Sequence, residues 1–254
     1  MKRINCFIPF QDAAQVAHTV KGLKESDLVS KIYLLATETV SDAPEGCTVV
    51  PVQSLNSTDA VRKIAALADA DYTMLYTKYT SLELGMFALE RMLHIADDSA
   101  AGMVYADHYI VTNGTAKNNP VISYQQGSLR DDFNFGSVLI YNTSVLKEAV
   151  AQMTADYQFA GLYDLRLKAS QKASLVHINE YLYSEVEQDT RKSGEKIFDY
   201  VDPKNRAVQI EMEEACTQHL KAIGGYLAPE FRQIEFSAGD FEFEASVIIP
   251  VRNR

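Results

Sequence analysis

The chain contains 254 residues, of which 47% are hydrophobic and 23% are charged, and its formal net charge is −10 at pH 7. This length allows one large domain or two small ones, with a core that needs no disulfide or metal. The acidic balance argues against a general nucleic-acid binder and a polybasic membrane anchor, because phosphates and anionic lipids attract basic surfaces. Three widely spaced cysteines indicate free thiols in the cytoplasm, and no apolar stretch approaches the roughly 18 residues of a transmembrane helix.

The N-terminal half alternates strand and helix patterns. Short runs rich in β-branched and aromatic residues predict strands over 4–9, 31–35, 47–52, 72–76 and 102–105. Apolar residues at helical spacing predict helices over 13–23, 60–68 and 82–95. Strands separated by helices of about ten residues predict an α/β fold, with a mainly parallel sheet that is covered by helices on both faces.

The second half has a different organisation. Asn113-Gly114 is a dipeptide typical of a hairpin turn, and Ser144 is placed to begin a helix. The predicted elements that follow the hairpin are a strand over 135–141, helices over 144–152 and 163–169, a strand over 175–178 and a charged helix over 204–223. Gly224-Gly225 closes the last helix, and 226–244 is predicted to be a linker.

Two segments of the chain are similar to each other. Residues 5–12 and 246–253 are both apolar strands followed by proline, an apolar residue, a polar residue and then Asp or Asn. The second copy follows a helix and a linker, so we expect it to begin a second domain of the same kind.

These segments resemble the family 2 glycosyltransferases, whose nucleotide-sugar-binding fold is called GT-A. Residues 246–254 resemble the family's opening strand and its Val-Ile-Ile-Pro-x-x-Asn signature, and 7–12 are a looser match. The segments that match the family's later order are 70–76 before its metal motif, 82–93 after it, 103–107 at the next strand and 159–167 at the catalytic acid. The resemblance implies a GT-A domain over 1–203, a helix and linker over 204–244, and the first strand of a second domain over 245–254.

The chain departs from this family at the metal motif. The family has Asp-x-Asp, whose carboxylates hold a divalent metal against the diphosphate, whereas the matching residues here are Thr77-Lys78-Tyr79-Thr80. We therefore predict no metal in this domain and expect Mg²⁺ or Mn²⁺ in the second domain. Lys78 is able to replace a metal in part, as a point charge at a phosphate, or it is an exposed loop lysine.

The second departure concerns the catalytic base. The family places Glu-Asp where this chain has Gly161-Leu162. Asp164 remains as a catalytic candidate, but two residues along a helix correspond to about 200° of rotation away from Leu162. We therefore interpret Asp164 as a surface or capping residue of its helix.

The resemblance also implies a set of nucleotide-sugar contacts. Pro9, Phe10 and Asp12 follow the first strand, where the family's loop lies against the nucleotide. Glu38 is a stand-in for the acidic residue that the family carries after its second strand. The remaining candidates are Thr77, Lys78 and Tyr79 at the metal motif, and Arg130 as a phosphate contact.

Three functions remain open at this point. In the first, the parent protein transfers sugar from a nucleotide-sugar to a glycan or lipid-linked acceptor, and this domain is a non-catalytic, acceptor-positioning module. It is then expected in the cytoplasm, including the inner face of the membrane, with a homodimer as one expected assembly. In the second, this domain is itself an active, metal-independent transferase that uses carboxylates from Asp107, Glu38 or Asp131-Asp132 and phosphate contacts from Arg130 or Lys78.

The third function is a non-enzymatic binding module of unrelated α/β type. A dinucleotide-binding dehydrogenase is disfavoured, because no Gly-x-Gly occurs in the chain. Asp107-His108 is able to act as an acid/base pair or as a pair of metal ligands, but we interpret it as a surface turn that follows a strand.

Overall fold

A computed structural model describes residues 2–40, 42–187, 206–231, 233 and 249. The strands in these ranges are β1 (Ile4–Phe10), β2 (Val29–Ala36), β3 (Cys47–Pro51), β4 (Tyr72–Tyr76), β5 (Ser81–Leu84), β6 (Met103–Thr112), β7 (Thr115–Asn119), β8 (Val138–Asn142) and β9 (Leu175–Glu187). The helices are α1 (Ala13–Lys24), α2 (Thr58–Leu67), α3 (Ala88–Asp98), α4 (Thr143–Ala151), α5 (Gly161–Ser170) and α6 (Arg206–Ala222).

The strands form one sheet in the order β3-β2-β1-β4-β8-β6-β9-β5, with β7 paired to the far part of β6. The first four strands of this order are parallel, β8 is antiparallel between β4 and β6, and β9 runs parallel to β6. The α/β prediction of a mainly parallel sheet is confirmed.

Both faces of the sheet are covered. One face packs Cys6, Ile8 and Met74 against α1 and α3, whereas the other packs Phe7 and Leu75 against α2, α4 and α5. All seven residues of β1 are buried, and apart from Asn5 its sequence is apolar without alternation.

The helix predicted over 82–95 is wrong at its beginning. The residues at its start form β5, which pairs with β9, and α3 begins only at Ala88. Gly85 allows the close approach, because a Cβ there would lie 2.8 Å from the carbonyl oxygen of Leu182. Pairing with a distant strand therefore overrides the helical spacing of Leu82 and its neighbours.

The hairpin prediction is confirmed, because Asn113 and Gly114 join β6 to β7 with φ angles of 52° and 76°. These positive angles are those of a type I′ turn. The predicted cap of α4 is displaced by two residues. Asn142, rather than Ser144, is the N-cap, and its side chain accepts from the backbone N–H groups of Ser144 and Val145.

Helix α6 packs on α5 and completes its N-terminus. No side chain next to the start of α5 caps it. Instead, the carboxylate of Glu211 accepts from the backbone N–H groups of Gln158, Phe159 and Ala160 at 3.1, 2.7 and 3.1 Å. A negative charge is favourable at this end of a helix, so α6 belongs to the packing of the domain.

The end of α6 agrees with the sequence prediction. Gly224 has a φ of 74°, and Gly225 N–H donates to the carbonyl of Leu220 at 2.8 Å. Residues 226–231 form no helix or strand. The rest of the predicted linker and the predicted strand at 246–254 lie outside the described residues, apart from 233 and 249. The three domain boundaries stay predictions.

We expect Glu211→Ala to lower the free energy of unfolding by about 1–2 kcal/mol, because three N–H groups at the start of α5 lose their acceptor. Urea unfolding measures this change. Glu213→Ala is the control, because Glu213 is an exposed residue of the same helix, and its effect should stay within about 0.5 kcal/mol. Equal effects of the two substitutions would contradict this role of Glu211.

Candidate functional site

The parallel strands β1, β2 and β4 end along one edge of the sheet, which we call the carboxyl edge. Pro9 and Phe10 are the last residues of β1, and both are buried. Asp12 is the N-cap of α1, where its carboxylate accepts from Gln15 N–H at 2.9 Å. The Gln15 side chain donates to the carbonyl of Tyr79 at 2.8 Å, which ties the first turn of α1 to the loop after β4.

The loop after β4 occupies the place of the metal motif in the family that the sequence resembles. Thr77 uses both its N–H and its hydroxyl to bind the carbonyl of Ser137, at 3.0 and 3.3 Å. The ammonium of Lys78 pairs with Glu185, and Tyr79 is 40% exposed. No carboxylate lies in this loop, so it does not supply the hard oxygen ligands that Mg²⁺ or Mn²⁺ requires.

Glu185 is a buried carboxylate that lies beside Lys78 and His108. It is 0% exposed, and its Oε1 lies 3.2 Å from Nε2 of His108, which stacks on Tyr183. Burial raises the pKa of Glu185, but the neighbouring His108, Lys78 and Ser137 side chains outweigh that effect and lower the pKa to about 2. The ion pair with Lys78 therefore holds the loop after β4 against β9.

The interpretation of Asp107-His108 as a surface turn is wrong. Both residues lie within β6 and are 1% exposed. Asp107 Oδ1 accepts from Val121 N–H at 2.9 Å and lies 2.8 Å from Nε2 of His177. The carboxylate of Asp107 is therefore bound to the backbone of Val121 and to the imidazole of His177.

A cavity of about 440 Å³ lies between the loop after β4 and the start of α5, and we call it the aromatic cavity. Its rings belong to Phe133, Phe135, Tyr141, Phe159 and Tyr163. Its polar and charged groups belong to Asn56, Thr77, Asp131, Asp132, Asn134 and Arg166. Leu162, which the sequence resemblance matches to the family's base position, is also part of the wall.

Arg166 is the functional candidate that the sequence did not indicate. It is 5% exposed, and it donates to the carbonyls of Ser128 and Arg130 at 3.3 and 2.9 Å. Its guanidinium lies 4.8 Å from the ring of Tyr163 and 5.4 Å from that of Phe135. Within the described part of the chain, no carboxylate forms an ion pair with it. The aromatic cavity thus contains a buried cation without a counter-ion.

The acidic residues of the cavity lie in an exposed loop. Asp132 accepts two hydrogen bonds from Arg130, at 2.9 and 2.8 Å, and this contact lowers the pKa of Asp132. The N–H of Asp132 donates to Oδ1 of Asp131 at 3.1 Å. Arg130 is exposed, and its charge is matched by Asp132.

Asp164 and Glu38 do not line the aromatic cavity. The interpretation of Asp164 as a surface residue is wrong, because it is 1% exposed and pairs with Lys168 one helical turn later. Glu38 is exposed in the loop after β2. Of the predicted site residues, the lining of the aromatic cavity contains Thr77, a predicted nucleotide-sugar contact, and Asp131-Asp132, the carboxylates of the metal-independent alternative.

The described residues contain no group of three or more His, Cys, Asp or Glu side chains arranged to hold a metal ion. None of their helices is both long enough and apolar enough to span a membrane.

The pKa of Glu185 makes a prediction about acid stability. Folding lowers this pKa from 4.5 to about 2, so the carboxylate stabilises the fold above pH 4.5 and this stabilisation is lost as the pH falls toward 2. The unsubstituted chain loses unfolding free energy as the pH falls from about 5.5 to about 3. We expect this loss to be smaller by about 2 kcal/mol in Glu185→Gln. Urea unfolding at each pH measures it, with the exposed Glu148→Gln as control. An unchanged pH dependence in Glu185→Gln would contradict the assignment.

No family model matches the chain, and no curated protein matches it. The solved structures that are similar to it include the following two. S. aureus TarS 1-349 has a TM-score of 0.53 at 10% identity, with 72% of this chain and 60% of that chain covered. Mannosyl-3-phosphoglycerate synthase from Rubrobacter xylanophilus has a TM-score of 0.49 at 10% identity, with 91% and 78% covered.

The chain thus spans less than two thirds of the TarS structure. At 10% identity the likeness shows the fold alone. The fold of this chain is of the GT-A type, as the sequence resemblance implies.

Proposed function

We propose that this chain is the acceptor-positioning module of a family 2-type glycosyltransferase, which transfers sugar from a nucleotide-sugar to a glycan or lipid-linked acceptor. The aromatic cavity carries this proposal. It lies between the loop that matches the metal motif and the helix that follows the base position, where Thr77 and Leu162 face the same space. Its place in the fold is therefore that of a sugar between donor and acceptor.

The lining of the cavity suits a sugar that carries phosphate. Flat aromatic faces stack on the apolar faces of sugar rings. A guanidinium binds phosphate oxygens through two parallel N–H groups, and Arg166 has N–H groups beyond the two that bind carbonyls. A phosphate at Arg166 would supply the counter-ion that the described residues do not provide. Glycans linked to a lipid through phosphate have this combination of groups.

Three features support a role without catalysis. The loop of Thr77 to Thr80 lacks metal ligands, and Lys78 is already bound to Glu185. The base position is an apolar Leu162, and inverting transfer needs a carboxylate that deprotonates the acceptor. We therefore assign the transfer step to the second domain predicted to begin near residue 245. The cytoplasmic location and a homodimer remain expectations of this proposal.

Binding of glucose 1-phosphate tests the module. This probe combines a sugar ring with a phosphate, and we expect saturation-transfer NMR to show weak binding. Arg166→Gln should weaken the binding at least about tenfold, because it removes the cation that faces the phosphate. Arg130→Gln is the matched control, because its guanidinium is exposed and occupied by Asp132. No saturation transfer to the sugar, or an equal loss in both variants, would contradict the proposal.

A second candidate function is metal-independent transfer by this domain itself. One observation favours it, namely that Asp131 lines the same cavity as Arg166 and is able to act as a base opposite a phosphate contact. The acceptor-positioning proposal expects no heat when UDP-glucose and MnCl₂ are titrated into the chain, and no UDP release from UDP-glucose in EDTA. UDP release that Asp131→Asn abolishes, while the exposed Glu148→Gln retains it, would overturn that proposal and establish the second function.

A further inference from the structure

Three hydrogen-bonded side chains lie in a row outside the aromatic cavity. Asp107 Oδ1 is 2.8 Å from Nε2 of His177, and Nδ1 of His177 is 3.3 Å from Oγ of Ser123. The side chains of Asp107 and His177 are 2% and 8% exposed, whereas Ser123 is an exposed residue. The row therefore runs from a buried acid through an imidazole to a hydroxyl that solvent reaches.

The acid determines which nitrogen of the ring carries the proton. A carboxylate only accepts hydrogen bonds, so the nitrogen next to Asp107, Nε2, is the one that donates. In the neutral ring this leaves the lone pair of Nδ1 directed at the hydroxyl of Ser123. A hydroxyl that donates to an imidazole, whose other nitrogen is held by a carboxylate, is the arrangement that activates a serine nucleophile.

The position of the imidazole is fixed by the sheet. His177 is paired with Tyr105 in the register of β6 and β9, and the two rings stack with centroids 5.3 Å apart and planes 19° from parallel. The register shifts on both sides of Asp107, which is paired with Tyr181. Such irregularities re-aim side chains, and here the carboxylate reaches the neighbouring strand's histidine.

The backbone that carries Ser123 is fixed on both sides. The hydroxyl of Tyr105 donates to the carbonyl of Ile122 at 2.8 Å and accepts from the N–H of Tyr124 at 2.7 Å. The carboxylate that binds the histidine also accepts from Val121 N–H at 2.9 Å. The serine is therefore held against the imidazole by the sheet and not by a free loop, as a preorganised site requires.

We propose that Ser123 is an activated nucleophile for esters of short acyl groups, with His177 as its general base and Asp107 as the residue that positions His177. Oγ of Ser123 bonds to the ester carbonyl carbon while its proton passes to Nδ1 of His177. The carbon–oxygen bond of the ester then breaks, and the alcohol leaves with that proton. Water hydrolyses the acyl-serine by the same route and restores the hydroxyl. Ile122, which is 69% exposed, offers an apolar contact for the acyl group.

Diisopropyl fluorophosphate is the probe for this nucleophile, because Oγ displaces fluoride from its phosphorus and the serine proton leaves with the fluoride as HF. We expect mass spectrometry to find the adduct on Ser123 and not on Ser128, a half-buried loop serine five residues away without a histidine partner among the described contacts. Ser123→Ala should abolish labelling, and Ser128→Ala should leave it unchanged. A folded chain in which excess probe leaves Ser123 unmodified would overturn the proposal.

The roles of the other two residues predict different kinetic changes. His177→Gln should slow labelling at least about a hundredfold, because general-base assistance is lost. Asp107→Asn should lower the maximal labelling rate at least about tenfold at an unchanged half-saturating probe concentration. If Asp107 had a merely structural role, the substitution would not separate the maximal labelling rate from the half-saturating probe concentration. Circular dichroism melting establishes that each variant is folded.

A second pair of variants leaves Asp107 and His177 unchanged, so it tests the proposal even if Asp107→Asn does not fold. The thiol introduced by Ser123→Cys should react with iodoacetamide at least about ten times faster than the thiol introduced by Ser128→Cys, because an adjacent imidazole promotes the thiolate. Peptide mass spectrometry separates both thiols from the native cysteines. Equal rates would overturn the proposal.

Discussion

Two carboxylates, Asp107 of β6 and Glu185 of β9, are buried in the sheet, and the loops of the carboxyl edge are arranged to stabilise them. An unpaired buried carboxylate costs several kcal/mol, so each must have donors or cations close by. Asp107 takes the N–H of Val121 and the imidazole of His177, whereas Glu185 takes the ammonium of Lys78. Each carboxylate thereby holds a loop segment against the sheet.

The two carboxylates also divide the carboxyl edge into two sides. Successive residues of a strand point to opposite faces, so Asp107 and His108 extend in opposite directions from β6. Asp107 lies on the side of Tyr105 and Phe135, which is the side of α2, α4, α5 and the aromatic cavity. His108 stacks on Tyr183 within the other core, next to Glu185 and the loop after β4. Glu185 and its ion pair with Lys78 therefore lie on the side of His108, whereas Asp107 lies on the side of α2, α4 and α5.

The parts of the fold that sequence predicts are those with local causes. The alternation of strands and helices in the first half and the turn at Asn113-Gly114 follow from apolar spacing and from backbone angles that glycine permits. The largest failures involve distant partners: the start of the 82–95 helix becomes a strand because β9 pairs with it, and Asp164 is buried on a helix that α6 also covers. Arg166 gave no signal because most residues of α5 are buried, so its helix has no polar stripe to mark a site.

The difference between Lys78 and Arg166 shows why a charge at the expected place does not make a phosphate site. Lys78 stands at the metal motif, but its ammonium is bound by a carboxylate 107 residues away that no local pattern reveals. A phosphate that took Lys78 from Glu185 would leave that buried carboxylate without its cation, and an uncompensated buried charge costs free energy. Arg166 has no such competitor among the described residues, because its charge is stabilised by carbonyls and aromatic rings. An incoming phosphate at Arg166 therefore gains a charge-assisted contact without breaking an existing ion pair, and the free energy favours the cavity over the motif position.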